Sequence, residues 1–396
     1  MIKRRAPLVT SYSSTVIYPS ALFSLEKDET YPYERFAYNV LSVAVEALNT
    51  QKLPENITID FTQSSLGFSP WSINASISVR TSRDGVLFHF GVPELAPAIL
   101  YLLSAVLLSE FLDDARFQTF QQDPARLSER LKYFVEGASS GVRAYRENGF
   151  AAGIRAAYEF FGLTFVDLQR YATEYDALTK LIANHEVAHA YVQQVTHRPN
   201  PTQVETSAFE FVADLVAIFW FYNKMIANTP NTEEYREYRG LASYSETILA
   251  NSLTSLRALY SLIIVMAIAG AQRTGGRVSL EAGQTHPAGL QRLFLQHVVL
   301  YTLIASNFSS TLSKDAIDEI TNDWDLRMEV LVRSGLIPLA DLENMLNPAE
   351  FDAVETAANL IEELQIADLQ KVSGTLRQMR DQIGEPKRER RKGRQK

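Results

Sequence analysis

The sequence predicts an α+β fold that is mainly helical, with a small strand-containing region at the N-terminal end. Three observations predict it. Alternating apolar and polar residues are confined to the first hundred positions, as in Asn56-Ile57-Thr58-Ile59-Asp60-Phe61. Beyond them, apolar residues recur at three- and four-residue steps over long stretches free of Pro and Gly. Breaks between those stretches carry helix-stop and helix-start chemistry, most sharply at Arg198-Pro199-Asn200-Pro201.

Taken in order, Ser11 to Leu25 is rich in Ser, Tyr, Val and Ile and holds strand signal. Tyr33 to Asn49 reads as a helix, because Phe36, Val40, Leu41, Val43, Ala44 and Leu48 fall on one face. Ser72 to Arg80 alternates, Asp84-Gly85 supplies turn chemistry, and Val86 to Phe90 alternates again, which is the pattern of a hairpin. His89 on this hairpin reads as a bystander. An apolar helix follows from Pro93-Glu94 to about Leu112, then helical pieces punctuated by glycines through residue 175.

Asp176 to Val195 is the next helix, with Leu178, Ile182, His185, His189 and Val192 at helical spacing. After the Pro-rich break, Thr202 and Glu205 are spaced as a capping box ahead of the apolar run Phe209 to Phe221. A polar stretch, Asn228 to Tyr238, precedes a long helix ending near Gln272, and Thr274-Gly275-Gly276 is a loop. Pro287 suits the first turn of a helix reaching about Ala305, Ser313 onward stays helical, and Asn347-Pro348 opens an amphipathic segment, Phe351 to Met379. The expected organisation is an α+β region with a hairpin at 1–92, a helical core at 93–310, a C-terminal helical region at 311–385 and a basic disordered tail at 386–396.

Bulk composition narrows the function classes. The chain has 396 residues, 46% of them hydrophobic and 21% charged, an ordinary globular balance with ample core material. A net charge of −8 argues against general nucleic-acid binding by the body of the protein. The basic residues from Lys387 to Lys396 form a local exception, read as a solvated tail, with contact to nucleic acid or the ribosome as the sharper reading. No aromatic residue interleaves them. There are no cysteines, so any metal site must use imidazole and carboxylate. The segment after Met1-Ile2-Lys3-Arg4-Arg5 lacks the apolar core of a secretory leader. The apolar runs Leu95–Ser109 and Ala258–Ala271 are shorter than the roughly twenty residues that span a bilayer. A cytoplasmic protein with no membrane span is expected.

The chemistry concentrates at His185-Glu186-Val187-Ala188-His189. On a helix this spacing turns both imidazoles from one face toward one ion, and Glu186 falls beside the open position as a general base. A third zinc ligand is needed, and Glu205 and Glu210 compete for it. Glu205 already has a role at the helix start. Glu210 lies further in, with Asp214 one turn on along the same face. Zn²⁺ held by His185, His189 and Glu210 is therefore expected, with Asp214 accepting the remaining N–H of a ligand imidazole, that of His185.

His-Glu-x-x-His followed by Glu-x-x-x-Asp resembles the signature of the gluzincin metallopeptidases. Phe209-Glu210-Phe211-Val212-Ala213-Asp214 is similar to the third-ligand helix of the Ste24/HtpX-like peptidases, and Thr285-His286-Pro287-Ala288-Gly289-Leu290-Gln291-Arg292 is similar to a Thr-His-Pro segment they carry downstream. Lit-type phage-exclusion peptidases share the same three-part order. The likeness covers roughly residues 72–306. It implies a gluzincin-like core at 93–310 and zinc-dependent cleavage of a protein or peptide substrate, by a phage-defence effector if the Lit-type likeness governs. It also implies His286 as a catalytic donor to the oxyanion and Arg292 as a residue that steadies that loop or pairs with substrate. Peptidases of this kind hold substrate as an added strand, for which Gly85 to Val92 and Ile73 to Arg80 are the candidate edges, with a plain structural hairpin as the competing reading. The competing reading is a catalytically inactive, metal-stabilised binding or regulatory protein.

Overall fold

The structure is a computed structural model. It describes residues 3–5, 13–17, 38–39, 42–43, 56–60, 76–82, 85–91, 133, 136–137, 140–141, 143–144, 147–148, 150–162, 172–196, 203–273, 289–333, 351–363, 373–374 and 377. Helix dominates them. The apolar helix expected at residues 93–112, the Thr285-His286-Pro287 segment and the basic tail lie outside the described residues.

Among the described residues, five short strands form one mixed sheet in the order β1-β2-β3-β5-β4. They are β1 (Lys3–Arg5), β2 (Ser13–Ile17), β3 (Asn56–Asp60), β4 (Ser76–Ser82) and β5 (Gly85–Gly91). The central pairings, β2 with β3 and β3 with β5, are parallel. The outer ones are antiparallel, and β4 meets β5 with Val79 opposite Phe88 and Ser82 opposite Gly85. This order distinguishes the two candidate edges. β5 is paired on both sides, with β3 from Val86 to His89 and with β4 from Gly85 to Gly91, whereas β4 has a partner on one side among the described residues. β4 is also the strand that packs against the helix carrying His185 and His189.

The continuous helices among the described residues are α1 (Phe150–Phe161), α2 (Ala172–Thr196), α3 (Gln203–Tyr222), α4 (Glu233–Arg239), α5 (Tyr244–Arg273), α6 (Gly289–Asn307), α7 (Lys314–Arg333) and α8 (Phe351–Glu363), with the π turn Asn223–Ala227 after α3. α3 is the hub. Phe211, Val212, Leu215, Val216, Ile218 and Phe221 are all buried, and α2, α6 and α8 pack around it. A helix apolar on every side must be surrounded. Small residues such as Ala183 and Ala188 on α2, and Ala213 and Ala217 on α3, are buried too and leave room for a close approach of the two helices.

Two features were hidden by polar sequence. The stretch 228–238 contains α4, which is capped at both ends: Thr232 Oγ1 accepts from the Tyr235 N–H at 3.3 Å, and Gly240 closes the helix at φ 66°. The buried face of α5 carries Ser252 and Ser255, whose hydroxyls donate to the carbonyls of Ile248 and Asn251, both at 2.7 Å. Satisfied in this way, polar residues can sit inside a core. The helical positions Tyr38–Asn39 and Ser42–Val43 fall within the helix expected at Tyr33 to Asn49. Buried Asn39 ties them to α2 by donating from Nδ2 to Thr179 Oγ1 at 2.6 Å.

Candidate metal centre

Three helices converge on one point. α2 supplies His185 and His189, one turn apart, with their rings edge-to-face at 81° and centroids 4.5 Å apart. Their Nε2 atoms are 3.0 Å apart. α3 supplies Glu210, whose Oε2 lies 3.8 Å from His185 Nε2 and 3.5 Å from His189 Nε2. These three residues are the group of potential metal ligands found among the described residues. Glu205 is not in it. That residue sits in the first turn of α3, whereas Glu210 lies further along, within reach of both histidines of α2.

Donor chemistry and spacing fit zinc. A tetrahedral ion bonded at about 2.0–2.1 Å sets its ligand atoms about 3.3 Å apart, and the observed edges of 3.0, 3.5 and 3.8 Å bracket that value. Two imidazoles and one carboxylate are also a common ligand set for zinc with an open fourth position.

Asp214, one turn beyond Glu210, has only 3% of its side chain exposed, and its Oδ1 is 2.9 Å from His185 Nδ1. That contact favours the tautomer with the proton on Nδ1 and the lone pair on Nε2, facing Glu210. On its other side Asp214 meets Arg292 of α6. Arg292 Nε donates to Oδ2 at 2.6 Å and Nη2 to Oδ1 at 2.9 Å, a bidentate fork. The same Nη2 lies 3.2 Å from Glu210 Oε2 and 3.2 Å from His185 Nε2.

Electrostatics follow from this arrangement. Burial pushes the Glu210 carboxyl up, but the hydrogen bond with His189 and the charges of Arg292 and the imidazoles outweigh it and bring the pKa down to about 2. Burial acts on Asp214 in the same direction and is outweighed by Arg292 and His185, so its carboxyl is held well below the usual range. Both side chains are thus carboxylates at neutral pH.

Of the residues singled out in the sequence, His185, His189, Glu210, Asp214 and Arg292 are therefore together. For Glu186 the helical backbone in α2 is described and the side chain is not; His286 lies outside the described residues. His89 is in β5, within the sheet. His297 is on α6, stacked on Trp324 of α7 with ring centroids 3.6 Å apart, and belongs to a different cluster. The fork between Arg292 and Asp214 is the part that sequence reasoning missed. The signal was there in form, since a carboxylate buried in an apolar helix calls for a cation, but nothing local says which one. Comparison with known protein families, curated proteins and solved structures finds no match.

Proposed function

We propose that this chain is a zinc-dependent endopeptidase of gluzincin type. The observation that carries the proposal is the triangle of His185 Nε2, His189 Nε2 and Glu210 Oε2, set at ligand spacing and backed by Asp214. When bound, zinc supplies Lewis acidity and makes water nucleophilic near neutral pH.

The chain's own residues do the rest. Glu186, next to His185 on α2, accepts a proton from the attacking water and returns it to the leaving amine nitrogen. Asp214 keeps His185 in the tautomer whose Nε2 lone pair faces the site. His286 is the donor to the developing oxyanion, a role drawn from the resemblance of its Thr-His-Pro segment. Peptide is favoured as substrate by that resemblance and by β4, packed on α2 and unpaired on one side among the described residues, where a substrate strand gains affinity through backbone pairing. The likeness to Lit-type peptidases extends the proposal to a cytoplasmic phage-defence effector. No helix among the described residues is long and apolar enough to cross a membrane.

The test is zinc content and hydrolysis of a quenched fluorescent protein substrate for wild type, Glu210→Ala and Glu186→Gln. One zinc per chain, depleted in Glu210→Ala, with hydrolysis lost in Glu186→Gln while zinc is kept, is the expected result. A Glu186→Gln protein that cleaves as fast as wild type would remove the mechanism.

A further inference from the structure

The guanidinium of Arg292 stands in an unusual place for a cation, against the donors of a proposed cation site. Its Nη2 is 3.2 Å from His185 Nε2 and 3.2 Å from Glu210 Oε2, two of the three ligand atoms. Its other end is fixed, with Nε on Asp214 Oδ2 at 2.6 Å. An arginine nitrogen has N–H groups to donate and no lone pair with which to ligate.

The competition is atom for atom. His185 Nδ1 lies 2.9 Å from the Asp214 carboxylate, which favours the tautomer with its lone pair on Nε2. That single pair can accept the Arg292 N–H or bind an ion, but not both. Glu210 Oε2 offers its charge to the same two claimants. The site holds two carboxylates and one guanidinium, and Arg292 offsets much of the repulsion between Glu210 and Asp214. With a divalent ion, the guanidinium becomes a like charge a few ångströms away.

Resting on the zinc reading above, we infer that Arg292 is a resident counter-cation that regulates metal occupancy. Nε and Nη2 hold it on Asp214, and its charge opposes the arrival of a divalent ion at His185 and Glu210. It is a positioning residue that holds the carboxylates in place and lowers the affinity of the site for the ion. On this account the pair of Asp214 and Arg292 sets the metal concentration at which the site fills.

Zinc affinity is measured by chelator competition, and Co²⁺ absorption reports the coordination number, for wild type, Arg292→Gln and Arg292→Lys. Circular dichroism establishes which variants are folded. Glutamine keeps a hydrogen bond to Asp214 and removes the charge. Zinc is expected to bind it at least about tenfold more tightly, a modest share of the repulsion between a cation and a divalent ion at an effective dielectric constant of about 20. Lysine keeps the charge but has no fork, so it cannot sit on Asp214 and reach both ligands at once. A smaller gain, about threefold, is expected there, and this variant carries the test if the glutamine protein does not fold. Equal or weaker binding in the folded variants, beside a wild type that binds zinc, overturns the regulatory role of Arg292 and leaves the zinc reading standing. A wild type that binds no zinc removes both.

Discussion

His297 makes acid stability a measurable property of one side chain. It lies on α6, stacked on Trp324 at an interplanar angle of 6°, and neither ring nitrogen has a hydrogen-bond partner among the described residues. Burial alone pushes its pKa down to about 3, from an ordinary value of 6.5. Between those values the unfolded chain takes up a proton that the folded chain refuses, so stability rises with pH across that window. It is fully present above pH 6.5, falls as pH drops below the unfolded value, and levels off near the folded one. At pH 5 the deficit spans about 1.5 pH units, so His297 costs about 2 kcal/mol there relative to pH 7. His297→Phe keeps an aromatic ring on Trp324 and removes the titration. Urea unfolding at pH 7 and pH 5, followed by tryptophan fluorescence, should show wild type losing about 2 kcal/mol more than the variant between the two pH values. Equal losses would mean that the folded protein protonates His297 freely, and the account of a dry, neutral ring would be wrong.

Other outcomes follow from the same packing. Arg327 is 1% exposed and is held by a fork on Asp323 at 2.6 and 2.9 Å, so Asp323→Ala strands a buried guanidinium and should cost about 3 kcal/mol in urea unfolding. Phe221 is fully buried in α3, and Phe221→Ala should cost about 3–5 kcal/mol by the same assay. Under the zinc proposal, free metal at a hundred times its dissociation constant should stabilise the protein by about 2.7 kcal/mol, and Glu210→Ala should abolish that gain in a thermal-shift titration.

The sequence by itself determined what is local. The helix of His185 and His189 was legible because a side-chain repeat of three and four residues belongs to one face of a helix, and the motif lies on that face. Glu210 and Asp214 were legible as a pair for the same reason, and the apolar run around them marked α3 as buried. α4 escaped notice because a short helix of charged residues has no apolar stripe to announce it; its caps do that work.

Only the tertiary structure decided the rest. Among the described residues β4 rather than β5 is the edge, because parallel pairing of β3 with β5 joins strands distant in the chain, which no alternation pattern encodes. The meeting of Arg292 with Asp214, across 78 residues of chain, depends on how α6 crosses α3. Periodicity states which face of a helix is buried; it does not state what lies opposite. Buried charges find their partners through packing in three dimensions, and so the cation at this site could be named only from the assembled helices.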